Sequence, residues 1–233
     1  MATLTLTAPM TSPVSLVSPT TWYKTREGLR TQMIKRWKEY GGYIKKFAKT
    51  SNIPEEVIFA FMMVESGGNA EAGGTSSATQ GLMQFNKNYV SGSAASTLAK
   101  EYKEGRLSQV EKDILKKYGF TFGTTGIPRA FTQADLIKPE LNLLVGTIIL
   151  GQFIDSSWGT DPDGAIRMDR IIARYNWGPA GFERNKLGTA NFNSVYNNIP
   201  AVTKVYIQKM LGKNGALDIA INDKAQFPEV KEA

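Results

Sequence analysis

The stretch from Lys138 to Leu150 constrains the fold most. It places Pro139 and Glu140 where a first helical turn favours them and is then apolar nearly all round. A helix of this kind has no face to give to water, so it predicts a central buried helix with other helices packed about it. It does not predict a membrane span. Asn142, Gly146, Gly151 and Gln152 interrupt the run Leu141 to Ile154, short of the roughly eighteen apolar residues a span requires.

A second helix is marked from Pro54 to Ser66 and closed by Gly67-Gly68. Ser51 and Asn52 offer capping side chains, and Glu55 and Glu56 sit at the positive end of the dipole. Ile58, Phe61, Met62 and Glu65 fall at i, i+3, i+4 and i+7, so a carboxyl group continues the stripe that faces the core. Burial without a cation raises a carboxyl pKa and yields a group still protonated near neutral pH, a candidate general acid. The alternative is a helix-end glutamate that reaches water or pairs with Lys or Arg. The small residues Gly73 to Gly81 that follow permit close approach of backbone and ligand, and Gln84 offers both a donor and an acceptor.

Elsewhere, Met33, Trp37, Tyr40, Ile44 and Phe47 predict a long core-facing helix over 22–49, with Gly41-Gly42 as a bend or break. Helical composition recurs at 91–102 and 107–118, whereas 119–129 reads as a small hairpin or a flap. Asp161-Pro162-Asp163-Gly164 is a turn capping a helix whose buried face is Met168, Ile171, Ile172 and Tyr175, stopped by Gly178 and Pro179. Val202, Val205, Tyr206 and Lys209 share a face of the last long helix. The expected organisation is an extended arm over 1–20, one domain over 21–212 and a peripheral tail over 213–233.

The chain has 233 residues with no Cys and no His. Disulfides, thiol nucleophiles, the Ser-His-Asp triad and nearly all zinc and iron sites are thereby excluded. Proton transfer near neutral pH falls to a carboxylate, Lys or Tyr. The net charge of +7 favours polyanions. Its spread along the chain predicts a solvated basic surface and no nucleic-acid site. Residues 1–20 are rich in Thr, Ser and Pro, lack Lys and Arg, and do not read as a secretory signal.

Glu65-Ser66 followed by Gly81-Leu82-Met83-Gln84 resembles the first two motifs of the lytic transglycosylases of the soluble type, relatives of goose-type lysozyme. The stretch Pro139-Glu140-x-Asn142 to Gly146 is similar to the third motif, Ala173-x-Tyr175-Asn176-x-Gly178 to the fourth, and Pro200-x-x-Thr203-x-x-Tyr206 to the closing helix. The order is right from Ile53 to Leu211. Three departures stand out. The loop between Glu65 and Gly81 is one residue longer than is usual in the family, so the family's loop serine could be Thr75, Ser76 or Ser77. Phe85-Asn86-Lys87 replaces an apolar-Met-Pro run, and an insertion separates Gln84 from Pro139.

The resemblance implies a mainly α, lysozyme-like (α+β) fold: a helical bundle around the central helix, with a substrate groove. It implies cleavage of the β-1,4 bond between N-acetylmuramic acid and N-acetylglucosamine of peptidoglycan, without water, metal or cofactor. Glu65 is then the catalytic residue. Ser66, Met83, Gln84, Tyr175 and Asn176 are the expected substrate contacts, with the phenol of Tyr175 on the carboxyl group or the adjacent sugar. No second acid sits in a matching motif, although Glu71 and Asp135 stay open. The arm and the missing signal suggest a phage or plasmid-transfer component, docked on virion or apparatus proteins and delivered to the host wall or periplasm. The rivals are a hydrolytic muramidase using the same glutamate and a non-catalytic assembly or wall-docking protein.

Overall fold

The computed structural model describes residues 22–73, 79–86, 94–123, 129–159, 161 and 166–233. The expected arm over 1–20 and the candidates Thr75, Ser76 and Ser77 lie outside these residues. Helix α6 (Pro139–Ile154) is the predicted central element, with every side chain from Glu140 to Leu150 buried. It packs against α1 (Arg26–Ser51), α3 (Ala94–Lys103), α4 (Gln109–Lys117), α5 (Gln133–Leu136) and α7 (Met168–Trp177). The insertion therefore supplies α3, α4 and α5, three helices laid on α6.

Helix α2 (Glu55–Ser66) is the second fully covered element, buried without a gap from Val57 to Val64. Helices α1, α10 (Ala201–Leu211) and α11 (Ala216–Asn222) pack on it. Full burial of each large apolar side chain contributes roughly 1.5–3 kcal/mol, which fixes α2 rigidly and delivers Glu65 at its end. Ser51 and Asn52 close α1 and do not cap α2. Asn52 is the left-handed C-cap of α1 at φ 56°, and Ser51 Oγ donates to Phe47 O at 2.6 Å.

Helix α1 buries Met33, Trp37, Ile44 and Phe47 as expected, while Tyr40 is only partly covered. Gly41 and Gly42 do not break it. They make room for the chain's last residues: a Cβ on Gly41 would lie 2.8 Å from Val230 Cγ2, and one on Gly42 2.7 Å from Lys231 O.

Residues 213–233 are correspondingly not peripheral. Phe227 joins Trp37 and Phe59 in an aromatic cluster at centroid distances of 5.9 and 5.7 Å. Trp37 Nε1 donates to Pro228 O at 3.1 Å, Lys45 Nζ to Val230 O at 2.9 Å, and Ala233 N to Gly42 O at 3.2 Å. The tail is a strap across α1 and α2.

The described β structure is limited to isolated bridge residues, among them the antiparallel bridge of Thr79 with Asn86. The 119–129 segment forms no hairpin within its described part. Phe122 stacks on Tyr102 of α3 at 4.3 Å, and the Arg129 guanidinium lies 4.0 Å from the Phe120 ring centroid; residues 124–128, the middle of the expected hairpin or flap, lie outside the described residues. On α10 the buried set is Thr203, Tyr206, Ile207 and Met210. Val202 is 69% exposed and Val205 is exposed as well, so of the four residues that share a face in the sequence Tyr206 is the buried one.

Candidate active site

A groove of about 400 Å³ opens where the end of α2 meets the 79–86 segment, α6 and the end of α7. Glu65, Gln84, Tyr175 and Asn176 line it, together with Phe85, Asn86, Phe153 and Trp177. Glu65 is partly exposed as a residue, but its carboxyl group is set in among its neighbours at the groove and carries the sequence-predicted perturbation. Burial pushes its pKa up to about 8, against partial relief from the Tyr206 hydrogen bond and the more distant charge of Lys209. Desolvation is the largest effect, because neither the phenol nor one ammonium replaces the water a carboxylate would lose.

The group that touches Glu65 is Tyr206, whose hydroxyl donates to Oε1 at 2.5 Å. Tyr206 is only 7% exposed and its own pKa is driven far upward by burial and by Glu65, so it remains a donor. Of the two places expected for the phenol of Tyr175, the carboxyl group or the adjacent sugar, the first is taken by Tyr206. Tyr175 donates instead to Met83 O at 2.7 Å, and its ring packs against Phe61 at 5.0 Å. Tyr175 holds the groove wall, and its nearness to Glu65 is felt as charge. Tyr206 was legible only as a member of the closing-helix motif; helical spacing does not distinguish a tyrosine facing the core from one facing a carboxylate.

The segment carrying Gln84 is clamped from behind. Asn142 on α6 is fully buried; its Oδ1 accepts from Met83 N at 2.7 Å and its Nδ2 donates to Gln80 O and Leu136 O at 3.1 and 2.8 Å. One side chain thus pairs with three backbone groups, two in the 79–86 segment and one at the end of α5. Gly81 is forced, with φ 83° and space for a Cβ only 2.0 Å from Leu136 O. Gly146 allows Met83 to sit on α6, since a Cβ there would lie 2.5 Å from Met83 Cβ.

The remaining expected contacts divide. Asn176 is exposed on the groove. Gln84 also lines it, but its amide is engaged: Nε2 donates to Ala72 O at 2.9 Å and to Gly81 O at 2.8 Å, and Oε1 accepts from Thr79 at 3.3 Å. Gln84 therefore closes the loop as well as facing the groove. Met83 is 0% exposed and lies behind the wall, and Ser66 turns to its own helix, donating to Met62 O at 3.1 Å and accepting from Gly68 N. Neither side chain lines the groove, because both complete the local backbone structure.

No other carboxyl group lines this groove among the described residues. Asp135, one of the two acids left open, is bound by Arg129 at 2.7 Å and by Thr132, which hold its pKa well below the usual carboxylate range despite burial. It caps α5. Glu71 is exposed and away from the groove lining. Among the described residues no group of three or more acidic side chains could hold a metal ion, and no helix is long and apolar enough to cross a membrane.

Residues 42–115 match the family model "Transglycosylase SLT domain". That span contains Glu65 and the Gly81–Gln84 segment, while the third, fourth and closing motifs lie beyond it. No curated protein matches the chain. Among solved structures it is similar to lytic transglycosylase Slt from Pseudomonas aeruginosa, determined as an inactive Glu-to-Gln mutant. The TM-score is 0.52 at 20% identity, over 82% of this chain. The chain spans about a quarter of the length of that relative, 25%, and the likeness establishes a mostly helical, lysozyme-like fold. The matched span, about a third of the chain, thus holds Glu65 and the Gln84 segment of the groove, while the α6 and α7 side of the groove lies outside it.

Proposed function

We propose that this protein is a peptidoglycan lytic transglycosylase that cleaves the β-1,4 bond between N-acetylmuramic acid and N-acetylglucosamine. The observation that carries the proposal is a single carboxyl group, Glu65, held protonated near neutral pH in an open groove and oriented by Tyr206. Glu65 gives its proton to the leaving glycosidic oxygen. The substrate's own N-acetyl group stabilises the cationic sugar. The Glu65 carboxylate then takes the proton of the C6 hydroxyl as its oxygen closes on C1, so the 1,6-anhydro ring forms and the acid is regenerated. Two-carboxylate hydrolases need a second group at about 5–9.5 Å, and the absence of one from the groove lining among the described residues favours the intramolecular route over a muramidase.

The named inactivity of the Slt mutant points the same way for Glu65→Gln. The test is mass spectrometry of digested peptidoglycan. Anhydro products one water lighter than hydrolytic ones, absent with Glu65→Gln, are expected; reducing-end products instead would establish the muramidase, and no products from the wild type would leave a docking protein. Delivery to the wall by a phage particle or transfer apparatus belongs to the same proposal, resting on the composition of residues 1–20. Detection of the chain in purified virions tests it.

A further inference from the structure

Two aromatic side chains of the groove, Phe153 and Trp177, are assigned by no motif, and Trp177 is the larger. Trp177 occupies the variable position between Asn176 and Gly178 in the Ala173-x-Tyr175-Asn176-x-Gly178 run, and it lines the groove with Glu65. Its indole is only part-buried, packed against the hydrophobic core from outside. Three features fix it there. It is the last residue of α7, so its backbone is helical. Gly178 then turns the chain with φ 88°, a conformation that a side chain would strain, and Pro179 starts α8 (Pro179–Arg184). Gly181 on α8 leaves the space in which the ring rests: a Cβ there would lie 2.8 Å from both Cε2 and Nε1 of Trp177.

The surroundings sort by chemistry. Trp177, Phe153 and Pro179 give the groove an apolar wall, while Thr79, Gln84 and Asn86 give it polar groups from the facing segment. Phe153 is itself anchored, with the Arg174 guanidinium 4.8 Å from its ring centroid and Tyr175 edge-on at 6.0 Å. A β-1,4-linked hexosamine matches such a wall. Its substituents are equatorial, so each ring shows C–H faces to an aromatic plane and N-acetyl and hydroxyl edges to polar groups.

We propose that Trp177 is a specificity-determining residue: a preset platform on which one hexosamine ring of the glycan stacks, positioning the strand along the groove beside Glu65. This rests on the reading of the groove as a glycan site. Because the ring is held by Gly178 and Gly181 before substrate arrives, little side-chain freedom is lost on stacking, and its contribution appears in binding more than in bond cleavage.

Binding separates this from the chemistry. The full chain carrying Glu65→Gln is titrated with the N-acetylglucosamine hexamer, followed by calorimetry and tryptophan emission. The expected result is a ligand-induced emission change that Trp177→Phe abolishes. The dissociation constant rises about tenfold with Trp177→Leu and returns near the parent value with Trp177→Phe, as an aromatic contact predicts. On wild-type background, Trp177→Leu raises KM on peptidoglycan by a similar factor with a much smaller change in kcat. A merely structural tryptophan would lower the melting temperature and leave the dissociation constant of the folded fraction alone. That outcome, an unchanged emission response in Trp177→Phe, or no binding of the hexamer by the parent overturns the proposal. Should Trp177→Leu fail to fold, the emission response of Trp177→Phe decides. Hexamer binding that depends on Trp177 without anhydro products would sink the proposed reaction and keep the platform.

Discussion

Tyr206 donates its hydroxyl to Oε1 of Glu65 across 2.5 Å, joining residues 141 positions apart in the chain. The bond stabilises the charged form of the carboxyl group and so opposes the burial that raises its pKa. Tyr206→Phe removes that opposition. The Glu65 pKa then moves further up, and the alkaline limb of the pH–rate profile should shift to higher pH. Activity at neutral pH should fall about ten- to a hundredfold, since the freed carboxyl group loses its orientation. An alkaline limb displaced downward would contradict the geometry.

The wild-type profile itself is predicted. Glu65 must be protonated to act as an acid, so turnover should decline as pH rises through about 8. Measuring initial rates of wall-suspension clearing between pH 5 and 10 checks this. A carboxylate of ordinary pKa would instead place the decline near pH 4–5.

The same shift links to stability. Glu65 binds its proton more tightly folded, with a pKa near 8, than unfolded, near 4.5. Between those values the native state holds more protons than the unfolded one, so the stability of the wild type should fall as pH rises through this window. Glu65→Gln cannot ionise. Its stability relative to the wild type should therefore be small at pH 4 and grow to on the order of a few kcal/mol by pH 9, as read by denaturant unfolding at each pH.

Asn142 is expected to matter for the site without touching substrate. Replacing it by Ala leaves Met83 N, Gln80 O and Leu136 O without their buried partner. A loss of about 2–4 kcal/mol in thermal or chemical unfolding should follow, with activity reduced at temperatures where the variant is still folded. A silent Asn142→Ala would mean that the clamp does not hold the groove wall.

Removal of residues 227–233 should also be costly. It strips Phe227 from Trp37 and Phe59 and takes the carbonyl acceptors from Trp37 Nε1 and Lys45 Nζ. A drop in melting temperature of several degrees is expected, on the order of 2–4 °C per kcal/mol for a chain of this size. Gly42→Leu, which would collide with Lys231 O, should produce part of the same effect with the chain intact.

How much could be read beforehand differs by element. Helices α2 and α6 were legible because their apolar residues are local in sequence and have no other place to go. The anomaly of Glu65 was legible for the same reason: a carboxyl group in register with Ile58, Phe61 and Met62 is odd whatever surrounds it. The C-terminal strap was not, because Gly41 and Gly42 look alike whether they break a helix or admit a neighbour.

The sequence by itself determined that proton transfer must run without His or Cys, that two buried helices organise the domain, and that Glu65 ends one of them. Tertiary structure alone decided which tyrosine reaches that carboxyl group. Tyr175 and Tyr206 both lie on apolar helix faces near motif ends, and only the packing of α10 and α7 about α2 and the 79–86 segment turns one phenol to Glu65 and the other to Met83 O. Local periodicity groups residues on one side of a helix, but which of them meets the carboxyl group depends on how the helices pack, as Tyr206 on α10 does while Val202 and Val205 stay exposed.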